Sequence, residues 1–357
     1  MPASKTISPK TQLIAMVHVP SGNALLNSLY NTAFSVETYT SLELAELDEI
    51  RKHLLQLSNE LLISTANPLL ENCRTASFVL KKQAIAVLID RITQLKFVDN
   101  LIQRALHEVA MYYRNGIKII ALENVGAPYF IGKDIPFEEL LILLSIALKI
   151  RQKYPEIRMG VQVLSCGELD ALPIAMACGA FFVRSEASIF KGLRPEGETT
   201  NQGNLAKFYY LRNYLWTKLA VESPENRRTP ALWCDLQKKH TVFSDELLSM
   251  QTWLNNILFQ KLEGLIITGN ETGANVSEND LAMARNALSE TRERLTSIVG
   301  ATTNFDVPLI TGSGANFELY KRFADYCIVG TAFKKNQYWE NEVDEIAVQK
   351  LVAQFNH

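Results

Sequence analysis

The sequence predicts an α/β fold, a (β/α)8 TIM barrel with a helical insertion after strand 1, and three observations agree on it. Eight short apolar runs alternate with longer helical patterns, which is the order expected of repeated βα units. The runs are almost continuously hydrophobic, as parallel strands buried on both faces are. The last two runs end in the glycine motifs 312–314 and 330–331, and barrels of this class often bind phosphate after strands seven and eight.

The apolar runs and the helical patterns between them define the elements of a single barrel domain, residues 1–357. The predicted strands are Leu13–Val19, Ile117–Leu122, Met159–Leu164, Ala180–Arg184, Ala231–Leu236, Gly264–Thr268, Val307–Thr311 and Asp325–Val329. The predicted connecting helices are Arg91–Arg114, Phe137–Tyr154, Glu168–Ala177, Asn204–Ala220, Asp245–Lys261, Asn279–Ser297, Asn316–Phe323 and Asp344–Phe355. Ser277 can cap the helix that follows strand six, with Asp280 three residues on.

An insertion, residues 38–90, is predicted within the first βα connection. Ser41–Ser64 is rich in Leu and Glu and is typical of an extra helix, whereas Ala66–Ser77 is polar and irregular. Its place in a βα loop puts it beside the face where such barrels carry their active sites. The alternative is a surface or oligomer-contact element, so a homo-oligomer stays open.

The bulk composition excludes several classes of function. The chain carries 36 basic and 38 acidic side chains, and this near-neutral balance argues against a nucleic-acid partner. No apolar stretch reaches the ~20 residues that a membrane span needs. The five cysteines lack CxxC spacing and the first residues lack an apolar signal core, so we expect a cytoplasmic protein without disulfides.

The two glycine motifs predict a phosphate site. Backbone N–H groups in a side-chain-poor turn that opens a helix can hold a dianion, and neighbouring hydroxyls can add hydrogen bonds. The alternative is a pair of tight turns without a ligand, because glycine is common in βα loops. We assign to this site Gly312, Ser313, Gly314, Gly330 and Thr331, with Thr268 and Gly269 as an extension.

Asp235, Lys239 and His240 form the best acid–base group in the sequence. Alternation along an extended chain places Asp235 and Lys239 on one side, where the carboxylate can orient the lysine. A histidine with a near-neutral pKa can move protons. The alternative is an exposed basic loop with a structural aspartate.

Three further polar residues lie at predicted strand ends. Glu123 can act as a general base, bind a sugar hydroxyl, or form an ion pair with Arg184 across the mouth. Arg184 can bind a carboxylate or a second phosphate. His18 is either a mouth or core histidine or part of the ligand site. We predict no cofactor. The alternative of a metal site formed by His18, Glu123, Asp235 and His240 has no support from HxH or HExxH spacing, so we predict no metal.

The order of several short segments resembles the BtpA family, also called BtpA/SgcQ, across nearly the whole chain except the region around Ser41–Ser77. The matching segments are Ile14–Pro20, Leu122–Asn124 with Pro128–Tyr129, Phe182–Arg184, Asp235–His240, Ile267–Gly269 with Thr272–Gly273, Gly312–Gly314, and Ile328–Thr331 with Lys334. The resemblance implies a (β/α)8 fold and no particular reaction. The name of the BtpA family comes from a role in photosystem I accumulation in cyanobacteria, but members of the family occur in organisms without photosystems.

The chain departs from the family pattern in two places. The family usually has Asn-x-Leu-Arg-Asn-Asp after strand three, where this chain has Gln162–Gly167. It also tends to have Asp-x-Gly after strand four, where this chain has Thr200–Gly203 without a carboxylate.

These observations lead to two hypotheses of function. The first is an acid–base enzyme of the isomerase, lyase or N-glycosidic hydrolase type that acts on a phosphorylated small molecule, a sugar phosphate or a nucleotide. The second is a non-catalytic assembly, biogenesis or regulatory factor that keeps a vestigial ligand pocket. Retention of Asp235, Lys239 and His240 favours the first, and the altered strand-three segment favours the second.

Overall fold

The computed structural model describes most of the predicted barrel. The described residues are 11–20, 41–65, 70, 73–125, 135–164, 166–186, 192–194, 197–198, 204–220, 229–236, 242–243, 254, 262–269, 276–299, 307–312 and 316–356. The site candidates Lys239, His240, Ser313 and Gly314 lie outside them, as does the predicted helix Asp245–Lys261 apart from residue 254.

Eight parallel strands close into a barrel in the order β1-β11-β10-β9-β7-β4-β3-β2, which confirms the predicted fold. The strands are β1 (Gln12–Pro20), β2 (Ile119–Val125), β3 (Arg158–Gln162), β4 (Phe182–Ser185), β7 (Ala231–Asp235), β9 (Gly264–Ile267), β10 (Leu309–Thr311) and β11 (Tyr326–Val329). All eight predicted strands are present, because strands buried on both faces leave an unambiguous hydrophobic run.

The helices surround the barrel. They are α1 (Ser41–Thr65), α2 (Ser77–Leu80), α3 (Lys82–Thr93), α4 (Lys96–Arg114), α5 (Phe137–Lys153), α6 (Glu168–Ala177), α7 (Asn204–Ala220), α8 (Glu278–Val299), α9 (Phe317–Phe323) and α10 (Glu345–Asn356). Ser277 caps α8 as predicted, because its Oγ accepts from the Asp280 N–H at 3.0 Å. No helix among the described residues has the length and apolar character needed to cross a bilayer.

The prediction of one continuous helix over Arg91–Arg114 was wrong. The chain breaks between α3 and α4, where Leu95 adopts an extended conformation with φ −67° and ψ 126°. Leu95 is buried in the core that joins the barrel to its helices. After the break α4 packs on β1 and α5 and leads into β2, and α3 also packs on α5.

The inserted helix α1 begins and ends within one residue of its predicted bounds and packs against the barrel wall. Arg51 of α1 forms an ion pair with Glu138 in the first turn of α5. Farther along the insertion, Arg74 and Thr75 hydrogen-bond to Asp170 in the first turn of α6. The first turns of these helices follow the carboxyl ends of the strands, so the insertion contacts the mouth end of the barrel. The bounds 38–90 remain a prediction.

The barrel interior is filled by apolar side chains below its mouth. The rings of Phe182 and Trp233 stack with centroids 4.0 Å apart and an interplanar angle of 9°. Room for these rings comes from Gly160 and Gly264, where an added Cβ would collide with Phe182 and Trp233 respectively. This large-against-small packing closes the barrel centre and forms the floor of the mouth.

Two loops at the mouth are joined by a small antiparallel sheet that the sequence analysis did not predict. It comprises β5 (Gly192–Arg194), β6 (Gly197–Glu198) and β8 (Val242–Phe243), in the order β6-β5-β8. β5 and β6 follow barrel strand β4, and β8 follows barrel strand β7. Strands of two or three residues carry too little periodicity to be recognised from sequence.

Candidate active site at the barrel mouth

One inward-facing residue from each barrel strand forms a ring at the mouth. In β-strands every second residue faces the same side, and each ring member lies two positions after a residue of the interior layer. That layer comprises Met16, Ala121, Gly160, Phe182, Trp233, Ile266, Ile310 and Ile328. The mouth ring therefore comprises His18, Glu123, Gln162, Arg184, Asp235, Thr268, Gly312 and Gly330.

Arg184 and Asp235 form a buried bidentate ion pair in this ring. Arg184 Nε and Nη2 each donate to one carboxylate oxygen of Asp235, both at 2.9 Å. The exposed fractions of the two side chains are 6% and 2%. Burial by itself would lower the pKa of Arg184, but Asp235, helped by Glu123 and Glu186, raises it above its ordinary value. The guanidinium is therefore a fixed, permanently charged group.

The other edge of this guanidinium carries N–H groups that Asp235 does not use. An arginine has five N–H donors, and Asp235 takes two of those on Arg184. The remaining three donate to no acceptor in the described part of the chain. A planar guanidinium with unused donors is suited to binding phosphate or carboxylate.

Gly312 lies beside the Arg184 guanidinium, and its lack of a side chain makes this approach possible. A Cβ at Gly312 would lie 2.7 Å from Thr268 Cγ2 and 3.2 Å from Arg184 Nη2. The Gly312 N–H donates to the Ile267 carbonyl at 2.9 Å, so this amide belongs to the sheet. The glycine therefore serves the placement of Arg184.

His18 and Glu123 form a second pair on neighbouring strands. They are partners in the β1–β2 register, and His18 Nε2 lies 3.5 Å from Glu123 Oε2. Their side chains are 9% and 14% exposed. A Cβ at Gly330 would lie 3.2 Å from His18 Cε1, so this second glycine makes room for the imidazole. The ring of Trp339 packs edge-on near His18, with centroids 6.3 Å apart.

Comparison with known proteins places this barrel in a family. A sequence model described as the BtpA family matches residues 91–357. The chain belongs to the BtpA family. The match begins directly after the predicted insertion, residues 38–90, and therefore leaves out β1 and α1.

BtpA-family relatives and one solved structure show how far the similarity extends. An uncharacterised mitochondrial protein of Caenorhabditis elegans is 23% identical over 72% of this chain and 84% of its own length. An uncharacterised protein of Archaeoglobus fulgidus is 26% identical over 71% of this chain and 88% of its own. A 3-keto-L-gulonate-6-phosphate decarboxylase from Vibrio cholerae superposes with a TM-score of 0.38 and 11% identity, over 72% of this chain and 93% of that one.

The loop after β3, where this BtpA-family chain departs from the usual pattern, is held by side chains of neighbouring strands. Asn124 accepts from the Leu164 N–H at 2.6 Å and donates to the Leu164 carbonyl at 3.2 Å. Glu186, two residues after Arg184, accepts from the Cys166 N–H at 3.1 Å. Cys166 has φ 55°, a left-handed conformation that is uncommon outside glycine. The altered loop is therefore fixed at both ends.

Gln162 is a ring member that the sequence analysis noted only as the first residue of a segment that departs from the family pattern. It was not included in the predicted site. Its side chain is 1% exposed, and within the described residues its buried Oε1 has no hydrogen-bond partner. The signal that could have identified it is its position two residues after Gly160 on an inward face.

Lys334, which follows the second glycine motif, points away from the mouth. Its ammonium is fully buried and bonds Glu108 of α4 at 2.6 Å. Burial lowers the pKa of Lys334, although Glu108 acts in the opposite direction. This pair anchors the turn after β11 to the barrel wall and contributes no charge to a ligand.

The helix predicted after the first glycine motif is present and begins within one residue of its predicted start. It is the seven-residue α9, whose first turn is capped by the Asn316 side chain. The turn after β11 leads into a three-residue 3-10 helix, Thr331–Phe333. Neither segment provides a long helix dipole, so Arg184 is the main cationic group of the described mouth.

The structure brings together seven of the candidates that the sequence analysis assigned to the site. They are His18, Glu123, Arg184, Asp235, Thr268, Gly312 and Gly330. Gly269 and Thr331 directly follow two of these ring members. Carboxylates outnumber cations in the ring and its surroundings, yet no group of three or more His, Cys, Asp and Glu side chains in the described ranges could hold a metal ion.

Proposed function

We propose that the mouth of this BtpA-family barrel binds a phosphorylated small molecule, a sugar phosphate or a nucleotide, and performs acid–base chemistry on it. One observation carries the proposal: Arg184 has three N–H donors without an acceptor among the described residues, and it lies in the same ring as the His18–Glu123 pair. An anion-binding group and a proton-transfer pair at the same end of the barrel form the arrangement that such an enzyme requires.

Arg184 is the anchor for the phosphate in this proposal. Its free edge can bind two phosphate oxygens, and the glycine at position 312 leaves space above the strand end. Asp235 then acts by positioning Arg184, since both of its oxygens accept from that guanidinium. Ser313, Gly314, Gly330 and Thr331 stay part of the proposed phosphate site, with Thr268 and Gly269 beside them.

His18 and Glu123 supply the proton transfer. A histidine can change charge near neutral pH, and a neighbouring carboxylate orients the ring and stabilises its protonated form. His18 would take a proton from a carbon next to a carbonyl or from a hydroxyl, as in isomerisation, epimerisation or lyase cleavage. The phosphate anchor contributes binding energy that holds the reacting atoms in place. Lys239 and His240 remain proposed contributors from the loop after β7.

A thermal-shift screen against phosphorylated sugars and nucleotides tests the proposal. A ligand at 100 times its Kd stabilises the folded state by about 2.7 kcal/mol. This shift should disappear in Arg184→Gln and in Gly312→Asp, and it should persist in Arg158→Gln, which removes an arginine from the opposite end of the barrel. Equal stabilisation of Arg184→Gln and the unaltered protein would overturn the assignment.

A second function is favoured by the exposed apolar residues of the insertion. Leu42, Leu44 and Leu55 of α1 are 84%, 48% and 46% exposed, and exposed apolar groups on one element can mark a contact surface. The protein could then serve as an assembly or regulatory factor or as a homo-oligomer. Loss of cellular function in Leu42→Glu/Leu55→Glu but not in His18→Asn would favour the hypothesis of an assembly or regulatory factor.

A cytoplasmic location also stays part of the proposal.

A further inference from the structure

We infer that Gln162 selects the ligand by its hydroxyl groups, so that the barrel prefers a phosphorylated polyol or sugar to a phosphate ester without hydroxyls. The inference rests on the proposed function, since it concerns the part of the same ligand that lies away from the phosphate. It assigns the role of specificity determinant to a residue that takes no part in anchoring the phosphate or in proton transfer.

The backbone directs Gln162 into the mouth. Gly160 faces the barrel interior, because a Cβ there would meet the Phe182 ring. Gln162 lies two residues later on the same strand and therefore faces the same way. It is paired in register with Glu123 of β2, which lies beside His18.

The side-chain oxygen of Gln162 is buried, and the described residues offer it no hydrogen-bond donor. Gln162 is 1% exposed, and its Oε1 has no hydrogen-bond partner within the described part of the chain. A buried acceptor without a partner is costly, and native structures usually satisfy such groups. A ligand that donates a hydrogen bond to Oε1 would remove this cost only when it occupies the mouth.

The charges around Gln162 identify the ligand group. On the β2 side lies the carboxylate of Glu123, and on the β4 side lies the Arg184 guanidinium. A phosphate is attracted towards Arg184 and disfavoured beside Glu123, whereas a hydroxyl group can donate to the Glu123 carboxylate. A hydroxyl also matches an amide, because it can donate to Oε1 and accept from Nε2.

The mouth is therefore divided into two halves. Arg184 and Gly312 form the half that holds the phosphate. Gln162 and Glu123 form the half that accepts hydrogen bonds from hydroxyls, and His18 lies next to it. The ligand is oriented with its phosphate towards β4 and β10 and its hydroxylated carbons towards β2 and β3.

The test compares ribitol 5-phosphate with n-pentyl phosphate, which share a five-carbon chain and differ in their hydroxyls. Calorimetric titration gives a Kd for each ligand with the full-length protein. We expect the unaltered protein to bind ribitol 5-phosphate at least tenfold more tightly. In Gln162→Met, which keeps the side-chain length but removes the amide, this preference should fall to threefold or less, and the Kd for n-pentyl phosphate should stay within twofold.

A second variant and a third ligand keep the outcomes separate. Gln162→Glu retains an acceptor, so the variant should keep the preference for ribitol 5-phosphate. Its added negative charge should raise the Kd for both phosphate esters. An undiminished preference in a folded Gln162→Met protein would overturn the inference and leave the proposed function intact. If Gln162→Met fails to fold, loss of the preference for ribitol 5-phosphate in Gln162→Glu would count against the inference. If the unaltered protein binds neither ester nor inorganic phosphate, the proposed function fails and the inference fails with it.

Discussion

Arg184 and Asp235 face each other across neighbouring barrel strands and are joined by two hydrogen bonds of 2.9 Å. The pair is buried, so neither charge is solvated by bulk water. An aspartate that holds an arginine in this way is poorly placed to accept a proton from a substrate. The pair therefore argues against the acid–base role that the sequence analysis gave to Asp235, and in the proposed function Asp235 positions Arg184 while His18 and Glu123 transfer protons.

Replacement of Asp235 by Asn tests this separation. If Asp235 were the catalytic base, the variant would lose turnover and keep its ligand affinity. We expect instead that inorganic phosphate binds at least tenfold more weakly, because Arg184 loses its anchor. Breaking a buried ion pair also costs about 3–5 kcal/mol of unfolding free energy.

Calorimetry measures the phosphate affinity of Asp235→Asn, and urea denaturation measures its stability. The control is Asp325→Asn, which alters a partly exposed ion pair with Arg285. Unchanged phosphate affinity in a folded Asp235→Asn protein would contradict the assignment.

The substitution Gly312→Ala should weaken phosphate binding through steric displacement. Its Cβ would lie 2.7 Å from Thr268 Cγ2, 3.0 Å from Ile266 Cγ2 and 3.2 Å from Arg184 Nη2, so the Thr268 methyl group, which is nearest, must move first. Overpacking of this kind typically costs about 1–3 kcal/mol, which urea denaturation can measure. Adding Thr268→Ser removes the methyl group and should recover a large part of both stability and affinity. A double variant no better than Gly312→Ala would show that the methyl contact is not the cause.

Removal of either member of the His18–Glu123 pair should lower kcat with the substrate found by the thermal screen. Positioned acid–base groups typically contribute about 10²–10⁴-fold, so His18→Asn and Glu123→Gln should each lose a factor in this range. Because the two residues act as a unit, the double variant should lose little more than the worse single variant. His53→Gln alters an exposed histidine of α1 and should keep full activity. Additive losses would indicate that His18 and Glu123 act independently.

The barrel was predictable because its strands are buried on both faces, so each leaves a continuous apolar run that needs no knowledge of its neighbours. The break at Leu95 was missed because no glycine or proline marks it in the sequence. The three short strands β5, β6 and β8 depend on pairing between two loops, which no local periodicity records.

The composition of the mouth ring was largely predictable, but its pairings were not. His18, Glu123, Arg184 and Asp235 lie at strand ends and are polar, which is sufficient to place them at the mouth. Which carboxylate pairs with Arg184 depends on the stagger between strands and on side-chain conformation, neither of which the sequence records. For the same reason the glycines at 312 and 330 could be predicted to lie at the site, but not to make room for the Arg184 and His18 side chains.

The buried Lys334–Glu108 pair predicts a large loss of stability when one partner is removed. Glu108→Ala leaves the fully buried ammonium without its carboxylate, and such changes typically cost about 3–5 kcal/mol. The double variant Glu108→Leu/Lys334→Met removes both charges and should be more stable than Glu108→Ala. Urea denaturation checks both values. A loss below about 1 kcal/mol in Glu108→Ala would show that the ammonium finds water or another acceptor.

The last prediction concerns acid stability at the junction between α4 and α10. Hydrogen bonds from Arg114, and then from Asn115, lower the pKa of Glu345 from 4.5 to about 2, and Arg114 Nε donates to this carboxylate at 2.6 Å. A lowered carboxyl pKa means that the unfolded chain binds the proton more readily. The contribution of this group to stability is therefore complete above pH 4.5 and is lost as the pH falls towards 2.

The unfolding free energy of the unaltered protein should fall more steeply between pH 4.5 and pH 2 than that of Glu345→Gln. Glu318→Gln removes a highly exposed carboxylate of α9 and serves as the control. Equal slopes for the unaltered protein and Glu345→Gln would show that the Arg114 contact is not maintained in solution.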